Sequence, residues 1–359
     1  MIKIVHMGDA HLGYRQYGLQ VREQDYENAV SYVVARAVQV GAQAFIWPGD
    51  IFQSPYPSAR SVKFVQGCVE ALAQADIQSV GIDGNHDACA GKWLHVCNIY
   101  NGPLRVGDIN IDGINFMTPK LCLDKMQELV KTDGVPDVLM LHQSLGDMTA
   151  FGTEITAKWM AETLGPKGLR YVALGDLHDY QIQVIGGVTF VYPGAVEMTD
   201  LNEEWRKHFA IFDIDKDSLK SYVEDIPVRP VCRYNVSTEE DLEVMLKEIA
   251  FDNFVLPVIK VNATIVGAVE RINKALGAAI PHLVERYAED TGLQSHFEEQ
   301  TWKRAEGLVD LSATVKKSYP DDSEEYQLIM QLINAPDNVD DIINVYLSNK
   351  GLTNLCQSK

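Results

Sequence analysis

The chain has 359 residues, of which 46% are hydrophobic and 23% charged, and a formal net charge of −19. Its length predicts one large domain of about 200 residues with smaller units attached, and the acidic balance argues against a protein that coats nucleic acid nonspecifically. No apolar run approaches the roughly 20 residues needed to span a bilayer. The opening Met1-Ile2-Lys3-Ile4-Val5 has no signal-peptide anatomy and the six cysteines form no Cys-x-x-Cys pair, so a cytoplasmic chain with reduced thiols is expected.

Residues 2–7 are predicted as a buried strand. A helix over 22–40 follows from Tyr26, Val30, Val33, Val34 and Ala37 at helical spacing. Strand 44–47, helix 58–75 opened by Pro57-Ser58, strand 77–83 and a helix around 91–100 continue the alternation. Residues 104–117 read as a hairpin, 121–131 as helix, 138–142 as strand, 154–164 as helix and 170–175 as strand. Strands around the Gly186-Gly187 turn and a strand over 208–214 close this part. Strand–helix alternation followed by hairpins predicts an α/β sandwich with mixed sheets. A boundary is expected near 226–234. Beyond it lie helix 239–249, strand 254–262 and a long helix 266–290, a small α+β unit. A linker over 296–312 and two acidic helices, 323–334 and 339–348, complete the reading.

Five segments carry the chemistry: Gly8-Asp9-Ala10-His11, Gly49-Asp50, Gly84-Asn85-His86-Asp87, Leu141-His142 and Gly175-Asp176-Leu177-His178. Each presents Asp, Asn or His where an apolar strand ends, the place where ligands gather in α/β sheets. Together they suggest one two-metal site. Asp50 is the pivot, because a carboxylate can bridge two cations. Asp9 and His11 would hold one cation, Asn85 offers a neutral oxygen to a second, and His142 with Asp176 and His178 would close both sets. Mixed oxygen and imidazole donors suit manganese, iron or zinc better than calcium. His86 would contact the phosphate or protonate the departing oxygen, and Asp87 would orient His86. The isolated His6, His95, His208, His282 and His296 are read as structural or solvated.

The five segments resemble the calcineurin-like metallophosphoesterase superfamily. His11-Leu12-Gly13-Tyr14, Gly49-Asp50-Ile51-Phe52, Leu139-Met140-Leu141-His142-Gln143 and Tyr192-Pro193-Gly194 are similar to the SbcD-type nuclease subunit of the double-strand-break repair complex and its phage relatives. The resemblance implies a four-layer α/β/β/α sandwich over 1–225, a small DNA-capping α+β domain over 226–295, and a linker with an ATPase-binding helical pair over 296–359. It implies Asp9, His11, Asp50 and His178 on a first metal, Asp50, Asn85, His142 and Asp176 on a second, and His86 as catalytic histidine. Two manganese ions, with magnesium as substitute, DNA as substrate, an SbcC-type SMC-like ATPase as partner and a homodimer follow from the same resemblance, as does a nucleoid-associated location.

Two positions depart from the family pattern. Asp176 stands where the family has His, and Gln53 stands where many members carry a His near the phosphate. Candidate DNA contacts are Arg15, Tyr17, Gln53, Arg60 and Lys92. Two other readings remain open here: a phosphoesterase for a nucleotide or phosphoprotein, and a non-catalytic scaffold that binds DNA or the ATPase.

Overall fold

The computed structural model describes residues 1–132, 134–150, 153–200, 203, 206–248, 255–277 and 282–287. In chain order its first elements are β1 (Ile2–His6), α1 (Gln20–Gln39), β2 (Ala44–Trp47), α2 (Ala59–Gln74), β3 (Gln78–Gly81) and α3 (Lys92–Val96). There follow β4 (Leu104–Val106), β5 (Ile109–Ile114), α4 (Pro119–Val130), β6 (Val138–His142), α5 (Ala157–Leu164), β7 (Tyr171–Gly175), β8 (Gln181–Ile185) and β9 (Val188–Tyr192). Two long antiparallel strands, β10 (Lys207–Ile214) and β11 (Leu219–Ile226), end this part.

Side-chain alternation builds four layers from these elements. The strands form a five-stranded sheet, β11-β10-β1-β2-β3, and a six-stranded sheet, β4-β5-β6-β7-β9-β8. Along β1 and β2, Ile4, Ala44 and Ile46 face inward, while Val5, Phe45 and Trp47 face the helices α1 and α2. Along β6 and β7, Val138, Met140, Tyr171 and Ala173 face inward, while Leu139, Leu141, Val172 and Leu174 face α4 and α5. The inward residues of both sheets share one core, where the Tyr171 and Phe212 rings stack with centroids 3.9 Å apart. Strands covered on both faces read as unbroken apolar runs. Each large side chain so buried contributes about 1.5–3 kcal/mol. This is the α/β/β/α sandwich that the sequence predicts. α2 begins where expected, with the Ser58 hydroxyl accepting from Ser61 N at 3.1 Å.

A second, smaller sheet follows. β12 (Val231–Val236), α6 (Glu239–Glu248), β13 (Leu256–Asn262), α7 (Ala268–Leu276) and β14 (Leu283–Tyr287) form three parallel strands in the order β12-β13-β14. Its own core holds Leu242, Met245, Ile259, Val261, Ile272 and Leu276. The long helix expected over 266–290 is corrected. α7 ends at Leu276, Gly277 follows at φ +60°, a conformation that suits glycine at a helix end, and Leu283–Tyr287 pairs with β13 instead. The helix expected over 91–100 is likewise only Lys92–Val96; Tyr100 bridges to Val80. The expected linker 296–312 and helices 323–334 and 339–348 lie outside the described residues. No helix among the described residues is long and apolar enough to cross a membrane.

His6 is fully buried, its Nδ1 3.1 Å from the Tyr171 hydroxyl and its Nε2 without a partner. Burial lowers its pKa from 6.5 to about 3, so the fold accepts only the neutral ring. The stability tied to that ring is full above pH 6.5 and declines as pH falls toward 3. At pH 5, His6 should have cost the protein on the order of 2 kcal/mol, taking about 1.4 kcal/mol per unit. Urea unfolding at pH 7 and at pH 5 should therefore show a shallower acid loss in His6→Gln than in wild type; equal losses would remove His6 as the cause.

Candidate metal centre

Every donor that the sequence singles out sits at or just past the carboxyl end of a strand. Asp9 and His11 follow β1, Asp50 follows β2, and Asn85 and His86 follow β3; His142 ends β6, and Asp176 and His178 follow β7. Because β1, β2 and β3 run parallel, as do β6 and β7, both sheets deliver their loops to one end. The chain must then turn sharply. His11 (φ 43°), Asp50 (φ 47°) and Asp176 (φ 91°) all take left-handed backbone, which costs a non-glycine residue about 1–3 kcal/mol and is typical of functional sites. Gly84 is needed for close approach: a Cβ there would lie 2.1 Å from Asp50 Oδ1.

Two groups of donors converge and share one atom. Asp50 Oδ1 accepts from His86 N at 2.8 Å, which leaves Oδ2 facing His11 Nε2 at 3.8 Å and His142 Nε2 at 3.4 Å. On the first side, His11 Nε2 and His178 Nε2 are 3.2 Å apart, and His178 Nε2 is 3.8 Å from Asp9 Oδ2. On the second, His142 Nε2 is 2.8 Å from Asn85 Oδ1 and 4.0 Å from Asp176 Oδ1. His142 Nδ1 donates to the Pro48 carbonyl at 2.9 Å, so in the neutral ring Nε2 carries a lone pair toward the centre. Lone-pair nitrogens and carboxylate oxygens aimed at the same small spaces are the donor set of divalent cations. Asp9, His11 and His178 bring donor atoms within 4.8 Å of one another, as do His11, Asp50 and His86, so these residues fit a divalent cation.

The electrostatics follow from crowding. Burial holds the His11 imidazole down to about 3 against the pull of Asp50, keeping it neutral and able to ligate. Burial raises Asp9, with Asp50 adding to the effect and His142 opposing it. Burial works upward on Asp50 as well, but His142, His11 and the His86 N–H outweigh it and hold the carboxyl below its usual range. Burial works downward on His142 and is overcome by Asp50, Asp9 and Asp176, which raise it. The field that draws a proton to His142 is the field that an incoming cation meets.

Supporting residues complete the site, and several were not foreseen. Asp87, expected to orient His86, instead accepts from Ile51 N at 2.7 Å, Phe52 N at 3.1 Å and Gly84 N at 2.8 Å. It clamps the Asp50 loop to the Asn85 loop; a buried carboxylate beside three N–H donors satisfies backbone before it reaches a side chain. Burial, with Asp50 nearby, pushes its pKa up to about 6. The group against His86 Nδ1 is the Gln53 carbonyl oxygen, at 3.1 Å. Asp83 accepts from Gly91 N at 2.6 Å and Cys89 N at 3.3 Å, closing the same loop. Ser144 donates to Asp176 Oδ2 at 2.5 Å, leaving Oδ1 toward His142. Thr199 and Glu203 stand behind His178. Ser144 follows the same apolar run as His142 but is masked by it, and the segment around Glu203 carries no such run; Thr199, Glu203 and Lys207 at steps of four are its faint trace in the sequence.

Arg15 is paired to Glu23 at 2.7 Å and Arg60 to Glu27 at 2.7 Å, both on α1. Lys92 Nζ lies over the Trp93 ring at 4.5 Å. Tyr17 is half exposed at φ 57°.

Residues 2–217 match the family model described as the calcineurin-like phosphoesterase superfamily domain. The chain belongs to that superfamily, whose members use divalent metals. Among curated proteins it is similar to the DNA double-strand break repair protein Mre11 of Methanosarcina mazei, 29% identical over 241 residues, covering 64% of this chain and 39% of that protein. It is 26% identical over 231 residues to Mre11 of Archaeoglobus fulgidus, covering 56% of this chain and 52% of that protein. The chain thus spans about half or less of the length of these relatives. Among solved structures, TT1561 of Thermus thermophilus superposes with a TM-score of 0.44 at 11% identity, covering 63% of this chain and 99% of that one.

Proposed function

We propose that the chain is a manganese-dependent DNA nuclease subunit, cutting phosphodiester bonds in break repair or recombination. The observation that carries this reading is Asp50 Oδ2, which faces His11 Nε2 on one side and His142 Nε2 on the other. The similarity to Mre11 proteins supports DNA as the substrate. Two cations held this way supply an activated water and neutralise the attacked phosphate. Asp9, His11 and His178 with Asp50 would hold one; Asn85, His142 and Asp176 with Asp50 the other. His86 Nδ1 must donate to the Gln53 carbonyl, so the neutral ring presents a lone pair at Nε2. To protonate a leaving oxygen through Nε2 the ring must carry both protons, and the Gln53 bond persists in that form. An SbcC-type ATPase partner, a homodimer, and Arg15, Tyr17, Gln53, Arg60 and Lys92 beside the DNA belong to the same proposal, as do the domain limits at 225 and 295.

The deciding assay sets linear DNA beside a generic phosphodiester, with manganese. DNA cleavage that disappears in His86→Ala supports the proposal; cleavage of the small ester alone replaces it with a small-substrate phosphoesterase. Asp176 sharpens the expectation for metal choice. A carboxylate is a harder donor than imidazole, so competition titrations should show Asp176→His gaining affinity for zinc relative to manganese. An unchanged preference would place Asp176 outside the ligand set.

A further inference from the structure

Glu203 stands behind His178, on the side away from Asp9. Its carboxylate is nearly buried and gathers five donors: Thr199 N at 3.1 Å, the Thr199 hydroxyl, Asp200 N at 3.1 Å, Lys207 Nζ at 2.6 Å and His178 Nδ1 at 3.1 Å. An ionised carboxylate can only accept, so each of these groups must present a hydrogen, His178 Nδ1 included. Thr199 enforces the same choice: its hydroxyl hydrogen goes to Glu203, so the lone pairs of its oxygen, 2.6 Å from Nδ1, can only receive. Lys207, whose side chain is 2% exposed, sets its ammonium against the same carboxylate.

The geometry points to Glu203 as the positioning residue that places the proton of His178 on Nδ1 and so turns a bare Nε2 toward Asp9 and His11. The inference rests on the metal-centre reading and deepens it. Glu203 is not among the residues that would hold a cation. It acts through His178, whose Nε2 lies 3.2 Å from His11 Nε2 and 3.8 Å from Asp9 Oδ2. Such outer partners fix the ring and raise its basicity, and losing one typically weakens metal binding about 10–100-fold.

The test reads the ring directly. In protein labelled with 15N-histidine, long-range 1H–15N spectra without metal should show His178 in the Nδ1–H form, its signals identified by their loss in His178→Ala. In Glu203→Ala the Nε2–H form should gain, and Mn2+ titrated by calorimetry should bind about 10–100-fold more weakly. In a His178→Ala background the same Glu203 change should alter Mn2+ binding by nothing measurable. A His178 ring with the same tautomer in both proteins overturns the inference, as does an equal loss of Mn2+ affinity with His178 absent. Should Glu203→Ala not fold, the same cycle is run with Glu203→Gln, where a smaller weakening that needs His178 is expected and one independent of His178 overturns the inference. Wild-type protein that takes up no Mn2+ overturns the metal centre and this inference with it; Mn2+ uptake with an insensitive His178 overturns this inference alone.

Discussion

On the proposed function, replacing Asp50 by alanine should lower manganese-dependent cleavage of linear DNA by at least about 10^3-fold, since cations at such a site would supply several kcal/mol of transition-state stabilisation and each 1.4 kcal/mol is a factor of ten. The size follows from Oδ2 serving both donor groups, at 3.8 Å from His11 Nε2 and 3.4 Å from His142 Nε2. Its loss strips both sides at once, whereas loss of Asn85 or His178 strips one. Asp50 also has a structural task, because Oδ1 accepts from His86 N at 2.8 Å. Asp50→Asn separates the two roles. The amide oxygen can still receive the His86 N–H, so the loop should hold, while the charge shared by the cations is gone. Both variants should be inactive in single-turnover assays on end-labelled duplex and should bind fewer Mn2+ by calorimetry. Only the alanine variant should also lose about 1–3 kcal/mol of stability, from an N–H left without its acceptor. Cleavage by Asp50→Ala at the wild-type rate would remove Asp50 from the centre.

Most of the strand frame was legible because buried strands announce themselves. Val138-Leu139-Met140-Leu141 and Tyr171-Val172-Ala173-Leu174 alternate between two apolar environments, so both faces demand apolar side chains. The donors were legible for the complementary reason: Asp, Asn and His directly after such runs have no core to enter. β11 was not predicted, since Leu219–Ile226 alternates with exposed polar residues at the sheet edge, a pattern shared with amphipathic loops. β12 was hidden in an expected boundary and β14 in an expected helix, because Val231–Val236 and Leu283–Tyr287 are five- or six-residue segments with charged or polar residues among the apolar ones, too short and mixed to distinguish strand from helix. Within the site, the left-handed backbone at His11, Asp50 and Asp176 left no mark, as none of these residues is glycine. Asp87 was recognised as important and given the wrong partner. Only the folded loops show three N–H groups closer to its oxygens than the His86 ring.

Arg22→Ala should be among the most destabilising single changes in the chain, by about 3–5 kcal/mol, the usual cost of leaving buried charges unpaired. Arg22 is 0% exposed. Its guanidinium reaches Gln16 Oε1 at 2.9 Å, Asp25 Oδ2 at 2.8 Å, Glu197 Oε1 at 3.1 Å and the Met198 carbonyl at 3.2 Å. Removing it would strand the buried Glu197, which already has one oxygen without a partner, and leave Asp25 to Arg229 alone. Lysine should not rescue, since one ammonium cannot present the planar fork that meets four acceptors. Arg229→Ala should cost less: Arg229 grips Asp25 through two bonds of 2.8 Å, but Asp25 would keep Arg22. Thermal unfolding should show a fall of about 10 °C in Arg22→Ala. Arg22→Met combined with Glu197→Gln should recover much of it, because neutralising the stranded carboxylate removes the cost that truncation exposes, while Asp25 keeps Arg229. A single variant within about 1 kcal/mol of wild type, the range of an ordinary exposed pair, would show that water or neighbouring groups replace the guanidinium. The effect should also reach the metal centre. Met198, held by both Arg22 and the Tyr26 hydroxyl, precedes Thr199, whose oxygen lies 2.6 Å from His178 Nδ1. Loosening that carbonyl loosens the wall behind His178, so Mn2+ affinity measured below the unfolding transition should fall in Arg22→Ala and return in the double variant only as far as the Met198 segment regains its place.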